Sequence, residues 1–191
     1  MRVIAGRLGG RVLQAPRGTA TRPTTDRVRE ALFSILGERV VGARVLDLFA
    51  GSGALGIEAL SRGASYAVFL DSSRAAVAAI KKNLAQLGLV GQGAVLNLPL
   101  SRARAALGAE RPFDIVFCDP PWSDTTPAAR LVQKLSTEIM SPGALLVFEH
   151  RSSAAFDLSG EAPLMETDRR VWGDTAVSLF ELSKQGTTEN R

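Results

Sequence analysis

The sequence predicts an α/β fold: a mostly parallel sheet with helices on both faces. Three observations carry that prediction. From residue 44 onward, short apolar runs alternate with segments of helical periodicity. Some runs, such as Phe113-Asp114-Ile115-Val116-Phe117-Cys118, are apolar at almost every position, as strands buried on both faces must be. The first run ends in a glycine turn that opens a helix, and in doubly wound sheets ligands sit beyond such strand ends.

The elements follow in order. Residues 1–15 place Gly6, Gly9 and Gly10 between Val3-Ile4 and Val12-Leu13, the pattern of a small hairpin. Pro16, Gly18 and Pro23 mark residues 16–25 as a linker. A helix then starts at Thr25 or Asp26, either of which can cap it. Val28, Ala31, Leu32, Ile35 and Leu36 share one face, and Gly37 is its stop. Strands are expected at Arg44–Phe49, Tyr66–Leu70, Gly93–Leu98, Phe113–Cys118 and Gly143–Glu149. Between them, helices are expected at Ala54–Ser61, Arg74–Leu87, Ser101–Leu107 and Pro127–Met140. Leu164–Asp168 and Thr175–Leu182 read as two closing strands with no clear helix between them, suited to an antiparallel edge. The expected organisation is a basic hairpin arm over 1–25, a main domain over 26–184 and a frayed tail over 185–191.

With 46% hydrophobic and 22% charged residues, the 191-residue chain has the composition of a globular domain. No apolar h-region follows Arg2 and Arg7, and no apolar run approaches a membrane span, so a cytoplasmic location is expected. One cysteine, Cys118, excludes an internal disulfide and a cysteine-based metal cluster. The charge is uneven. Residues 1–25 carry Arg2, Arg7, Arg11, Arg17 and Arg22 and no acid, while the remainder is nearly neutral. Such an arm suits a polyanion, although a merely solubilising tail has the same composition.

Two strand-end motifs carry chemistry. In Asp47-Leu48-Phe49-Ala50-Gly51-Ser52-Gly53-Ala54-Leu55-Gly56, the glycines let backbone approach a ligand. The spacing also fits the dinucleotide fingerprint. Asp47 separates the readings: a carboxylate there suits an ammonium such as that of a methionine moiety and sits poorly beside a pyrophosphate. Asp71, ending the second strand, suits ribose hydroxyls or a helix cap. The second motif, Asp119-Pro120-Pro121-Trp122, directly follows the fourth strand. Two prolines stiffen the backbone so that the Pro120 carbonyl and the Asp119 carboxylate can both accept from one –NH2 group. Trp122 offers a flat face to an unstacked base. This is the equipment for methylating an amino nitrogen, whose delocalised lone pair is a poor nucleophile until both hydrogens are held.

Several segments carry a family resemblance. They are Arg22-Pro23-Thr24-Thr25-Asp26-Arg27-Val28-Arg29-Glu30, the Leu46–Gly56 turn, Glu58-Ala59-Leu60-Ser61-Arg62-Gly63-Ala64, Asn83-Leu84 and Asp119-Pro120-Pro121-Trp122. In these the chain resembles the class I, Rossmann-like methyltransferases, and more closely the bacterial 16S ribosomal RNA guanine-N2 methyltransferase family. The resemblance implies a seven-stranded sheet with its last strand antiparallel, and S-adenosylmethionine as cofactor. Cofactor contacts are implied at Asp47, Phe49, Ala50, Gly51, Ser52, Gly53 and Asp71, with Thr24 and Thr25 bordering the methionine end. Asn97 stands in for an acid expected near the adenine, Asp71 for the family's usual Glu, and Trp122 for its usual Tyr or Phe. The implied partner is 16S ribosomal RNA or a small-subunit assembly intermediate, met by Arg2, Arg7, Arg11, Arg22 and Arg27. The protein is expected to act as a monomer, without metal or membrane.

Other residues are read as structural. His150, the single histidine, is expected to be structural or solvent-exposed, Cys118 inert packing and Trp172 core or lid. Glu149 is a candidate to line the site, and Lys81 and Lys82 a solvated helix face. Four alternatives stand beside the main reading: adenine-N6 methylation, protein glutamine methylation, a nicotinamide oxidoreductase using Gly51–Gly56, and a non-catalytic RNA-binding protein.

Overall fold

The computed structural model describes residues 1–16, 26–154, 158 and 164–183. Seven strands form one sheet: β1 (Arg44–Leu48), β2 (Tyr66–Leu70), β3 (Gly93–Leu96), β4 (Phe113–Cys118), β5 (Met140–Arg151), β6 (Leu164–Trp172) and β7 (Thr175–Leu182). Their spatial order is β3-β2-β1-β4-β5-β7-β6. The first five are parallel, and β7 runs antiparallel between β5 and β6. The sheet thus has the seven strands and the antiparallel last strand that the resemblance implies. Chain order reverses between β1 and β4, and their register pairs Leu48 with Cys118, the last residue of each. The glycine turn after β1 and the Asp-Pro-Pro-Trp turn after β4 therefore emerge side by side at the switch point.

Strand alternation divides the core in two. On one face Val45, Phe69, Ile115 and Phe117 meet α1 (Asp26–Leu36), α2 (Ala54–Ser61) and α3 (Arg74–Gln86). On the other, Leu46, Val68, Val116 and Phe148 meet α4 (Arg104–Glu110) and α5 (Thr125–Ile139). Gly56 in α2 lets that helix lie against β2: a Cβ there would come within 2.3 Å of Phe69 Cε1. Gly56→Ala must displace the helix or the fully buried ring. It is expected to cost about 1–3 kcal/mol, read as a lower Tm.

Several boundaries shift for identifiable reasons. Helix α5 begins at Thr125, because Pro127 fits a first helical turn whose N–H groups need no helical partner. It ends at Ile139, and β5 takes Met140, which pairs with Phe113. The ladder then bulges and resumes with Ile115 opposite Leu145, close to the expected strand start. Strand β6 reaches Trp172, which is half-buried against the α1–α3 side of the core.

The N-terminal segment pairs as expected. Arg2 bridges Val12, and Val3 N–H donates to the Arg11 carbonyl at 2.9 Å. It also docks on the body. Val3 and Leu13 are buried. The fully buried Glu58 carboxylate of α2 accepts from Ile4 N at 2.7 Å and Ala5 N at 3.0 Å, and from Arg62 Nε at 2.7 Å. Glu58→Ala would leave these donors unpaired. It is expected to cost about 2–4 kcal/mol, or ~5–15 °C in Tm, measured by thermal melting.

Candidate active site

A cleft of about 630 Å³ opens at the switch point, within the size range of small-molecule sites. Its floor is the turn after β1. Gly51 and Gly53 take positive φ, 56° and 78°, where glycine is at ease. Phe49 also takes a positive φ, 59°, where a bulky side chain is strained. Phe49, Ala50, Gly51 and Ser52 all line the cleft, and Gly53 precedes α2 at its edge.

Two carboxylates brace this turn. Asp47 is almost wholly buried, and its Oδ2 accepts from Gly56 N at 2.9 Å in the first turn of α2. Burial pushes the Asp47 carboxyl well above the usual carboxylate range. The Gly56 N–H opposes that rise, and the charges of Asp119 and Asp71 add to it. Asp71 Oδ2 accepts from Gly51 N and Oδ1 from Ser73 N, both at 2.8 Å. Ser73 itself caps α3 through Ala76 N, so Asp71 is a turn brace on the cleft wall, not the helix cap. Each carboxylate keeps lone pairs for a ligand.

Asp119, Pro120, Pro121 and Trp122 line the cleft beside the glycine turn. Asp124 adjoins them and Glu149 reaches in from the end of β5. Against these acids, one cationic side chain lines the cleft among the described residues: Arg29 of α1. It is 1% exposed. Its Nη2 donates to Asp26 Oδ1 at 2.9 Å and to the Arg2 carbonyl at 2.5 Å, while Nε and Nη1 have no partner. Desolvation lowers its pKa, and the nearby Glu58 and Asp26 charges offset part of that.

The N-terminal segment completes the wall through Met1 and Pro16. Buried Asn83 ties it to the floor. Its Oδ1 accepts from Gln14 N at 2.8 Å, and its Nδ2 donates to the Gln14 carbonyl at 3.1 Å and the Ser52 carbonyl at 2.9 Å. Sequence reasoning gives no role to Arg29, Glu58 or Asn83, although all three lie in the segments that carry the resemblance.

Some expected site residues are placed elsewhere. Asn97 does not line the cleft; its amide donates to the Asp71 and Ser72 carbonyls at 3.0 and 3.1 Å and shapes the loop behind them. Thr24, Thr25 and Arg22 lie outside the described residues. Arg7 bonds the Gln92 side chain, just before β3, and so sits at the edge of the sheet opposite the cleft. Arg2 is tethered to Asp26 at 3.4 Å, and Arg11 and Arg27 are exposed. His150 is buried within β5, its ring nitrogens 2.9 Å from the Arg151 carbonyl and 3.2 Å from Ser178 Oγ, so it is structural and not solvent-exposed. Cys118 is buried, and burial pushes its thiol well above the usual value, as inert packing requires. Among the described residues, no group of three or more His, Cys, Asp or Glu could hold a metal, and no helix is long and apolar enough to cross a membrane.

Comparison with known proteins adds independent findings. Residues 1–181 match the family model described as Conserved hypothetical protein 95. YlbH of Bacillus subtilis, whose name gives it as a candidate rRNA methyltransferase, is 39% identical over 182 residues, covering 94% of this chain and 98% of that protein. The ribosomal RNA small subunit methyltransferase D of Escherichia coli strain K12 is 47% identical over 122 residues, covering 64% of this chain and 60% of that protein. The solved structure of yhhF from Escherichia coli superposes with a TM-score of 0.82 at 36% identity, covering 97% of this chain and 99% of that one.

Proposed function

Because the chain belongs to the Conserved hypothetical protein 95 family, we propose that it transfers a methyl group from S-adenosylmethionine to the exocyclic N2 amine of a guanine in 16S ribosomal RNA. The observation that carries this reading is the pairing of Leu48 with Cys118, which brings the glycine turn and the Asp119–Trp122 turn side by side into one cleft.

The cleft's chemistry fits the cofactor. S-adenosylmethionine carries a sulfonium, an ammonium and a carboxylate. Asp47, whose charged form is disfavoured by burial, would gain from a cation and suits the ammonium. Asp71, at the end of β2, suits the ribose hydroxyls. Arg29 brings two buried, unmatched donor nitrogens to a cleft whose other charged side chains, among the described residues, are acids, and suits the carboxylate. A dinucleotide pyrophosphate would instead meet Asp47 and Asp71 at the phosphate turn, and a protein that only bound RNA would have no use for the buried Asp47 carboxyl.

When bound, the cofactor supplies an electrophilic methyl, whose carbon–sulfur bond breaks as the carbon–nitrogen bond forms. The chain's residues do the rest by positioning. The Asp119 carboxylate and the Pro120 carbonyl accept the two amino hydrogens and direct the nitrogen lone pair across the cleft. As positive charge grows on nitrogen, the same oxygens stabilise it, and Asp119 takes the released proton. Trp122 stacks the extruded base.

Incubation with labelled cofactor and under-methylated small ribosomal subunits tests the proposal. Label is expected in a guanine of the 16S RNA. Label confined to adenine, or to a protein glutamine, overturns the guanine assignment. Methylation of assembled particles in preference to free RNA would identify an assembly intermediate as the substrate.

A further inference from the structure

We propose that the N-terminal segment and helix α3 together form a docking face for the sugar–phosphate backbone of double-helical RNA, carried by Arg7, Arg11, Arg74, Lys81 and Lys82. The inference rests on the reading of the substrate as RNA.

The face originates in the sequence. Residues 1–25 and residues 72–109 contain no Asp or Glu, and the fold sets the described part of the first against the second. Gln14 N donates to Asn83 Oδ1 at 2.8 Å, Gln14 Nε2 to Gln86 Oε1 at 3.3 Å, and Arg7 Nη2 to Gln92 Oε1. The acceptors in these bonds are neutral amides, so they fasten the segment to α3 and to the turn before β3 without neutralising its arginines. Arg2 is the exception, since Asp26 pairs with it.

On α3, Arg74, Ala78, Lys81 and Ala85 recur at helical spacing and are exposed. Lys82 lies one turn before Gln86, on the flank that meets Gln14. Arg7 and Arg11 are exposed on the docked segment. None of these cations forms an ion pair among the described residues. The face begins at the cleft: Ser73, just before Arg74, lines it, as do Met1 and Pro16 of the segment. From Arg74 to Lys81 the row runs roughly 10 Å along the helix axis.

Composition also selects the kind of RNA. Neither acid-free stretch contains an aromatic residue. Single-strand binders gain affinity by stacking bases on aromatic rings, which this face does not offer. Cations held on a helix and a docked hairpin suit the phosphates of a duplex, whose bases are already stacked.

The test uses the full chain, labelled cofactor and under-methylated small ribosomal subunits. Three double variants are compared: Lys81→Gln with Lys82→Gln, Lys81→Arg with Lys82→Arg, and Arg130→Gln with Lys134→Gln. Arg130 and Lys134 are exposed on α5, across the sheet, and control for the loss of net charge. Lys81→Gln with Lys82→Gln is expected to raise KM for the subunit about tenfold and change kcat less than about threefold. It should also lower the slope of log affinity against log salt by about two. Cofactor Kd, measured by calorimetry, should be unaltered. The other two double variants should match the unaltered protein. With RNA of unrelated sequence, a duplex of about 16 base pairs should bind more tightly than a single strand of equal length, and Lys81→Gln with Lys82→Gln should lose that preference. An unchanged KM and salt slope in Lys81→Gln with Lys82→Gln, an equal loss in Arg130→Gln with Lys134→Gln, or a duplex bound no better than the single strand overturns the inference. If the unaltered protein labels no RNA, the parent reading fails; if it labels RNA and Lys81→Gln with Lys82→Gln matches it, only this inference fails.

Discussion

Asp119→Ala is expected to lower kcat by about a thousandfold or more while changing the cofactor Kd less than about threefold. The asymmetry follows from where the residue sits. Asp119 follows β4 in the neighbouring turn, whereas Asp47 and Asp71 brace the glycine turn itself. Removing Asp119 takes away an acceptor for the amino group and the group that receives its proton. It also removes a charge that raises the Asp47 carboxyl, so cofactor binding has no reason to weaken. Asp119→Asn keeps one acceptor oxygen without the charge and is expected to fall between, at about a ten- to hundredfold loss. Single-turnover transfer with saturating cofactor, together with calorimetric Kd values, separates the two effects. A similar fall in affinity and turnover would place Asp119 on the cofactor instead.

Asp47→Asn has the opposite signature: a more stable protein that no longer binds its cofactor well. Burial raises the Asp47 pKa above its unfolded value. The stability attached to this group is therefore fully present below the unfolded carboxylate pKa and is lost as pH rises through the folded one. At neutral pH the unliganded protein holds a carboxyl whose charge is disfavoured. Asparagine keeps an acceptor for Gly56 N and removes that cost, so Tm should rise by about 2–8 °C, equivalent to about 1–2 kcal/mol. The gain should shrink as pH falls toward 4, where the native carboxyl is neutral. Cofactor affinity should drop about a hundredfold, because the cation loses its buried partner. In the unaltered protein, affinity should rise with pH through the raised Asp47 pKa, with proton release visible in calorimetry run in two buffers. A variant that is less stable at pH 7, or that binds the cofactor unchanged, would refute the assignment.

Much of this site is legible in the chain because its two motifs are local. Asp47 to Gly56 and Asp119 to Trp122 are each a strand end plus a turn, and the alternation of strands with helices, which makes the sheet parallel, brings such strand ends to the same side. What escapes sequence reading is long-range. Glu58 lies in a short helix and reads as a surface acid, until Ile4 and Ala5, more than fifty residues earlier, donate to it. Asn83 resembles any polar residue of α3, yet it joins Gln14 to the Ser52 carbonyl. Charge counting groups Arg7 with the other arginines of residues 1–25, but the turn at Gly6–Leu8 carries it to the far end of the sheet. Arg29 has a helical position consistent with either face, and only the docked N-terminal segment makes it a buried cation on the cleft wall. The bulge after Phe113 likewise depends on pairing between β4 and β5, which no local pattern encodes.

In the proposed reaction one cleft aligns a guanine amino group with the activated methyl. Nucleoside analysis of small-subunit RNA tests it most directly, using cells that lack this protein and cells that regain either the unaltered chain or Asp119→Ala. One N2-methylguanosine is expected to disappear without the protein, to return with the unaltered chain, and to stay absent with Asp119→Ala. An unchanged modification profile on loss of the protein, or full restoration by Asp119→Ala, would contradict it.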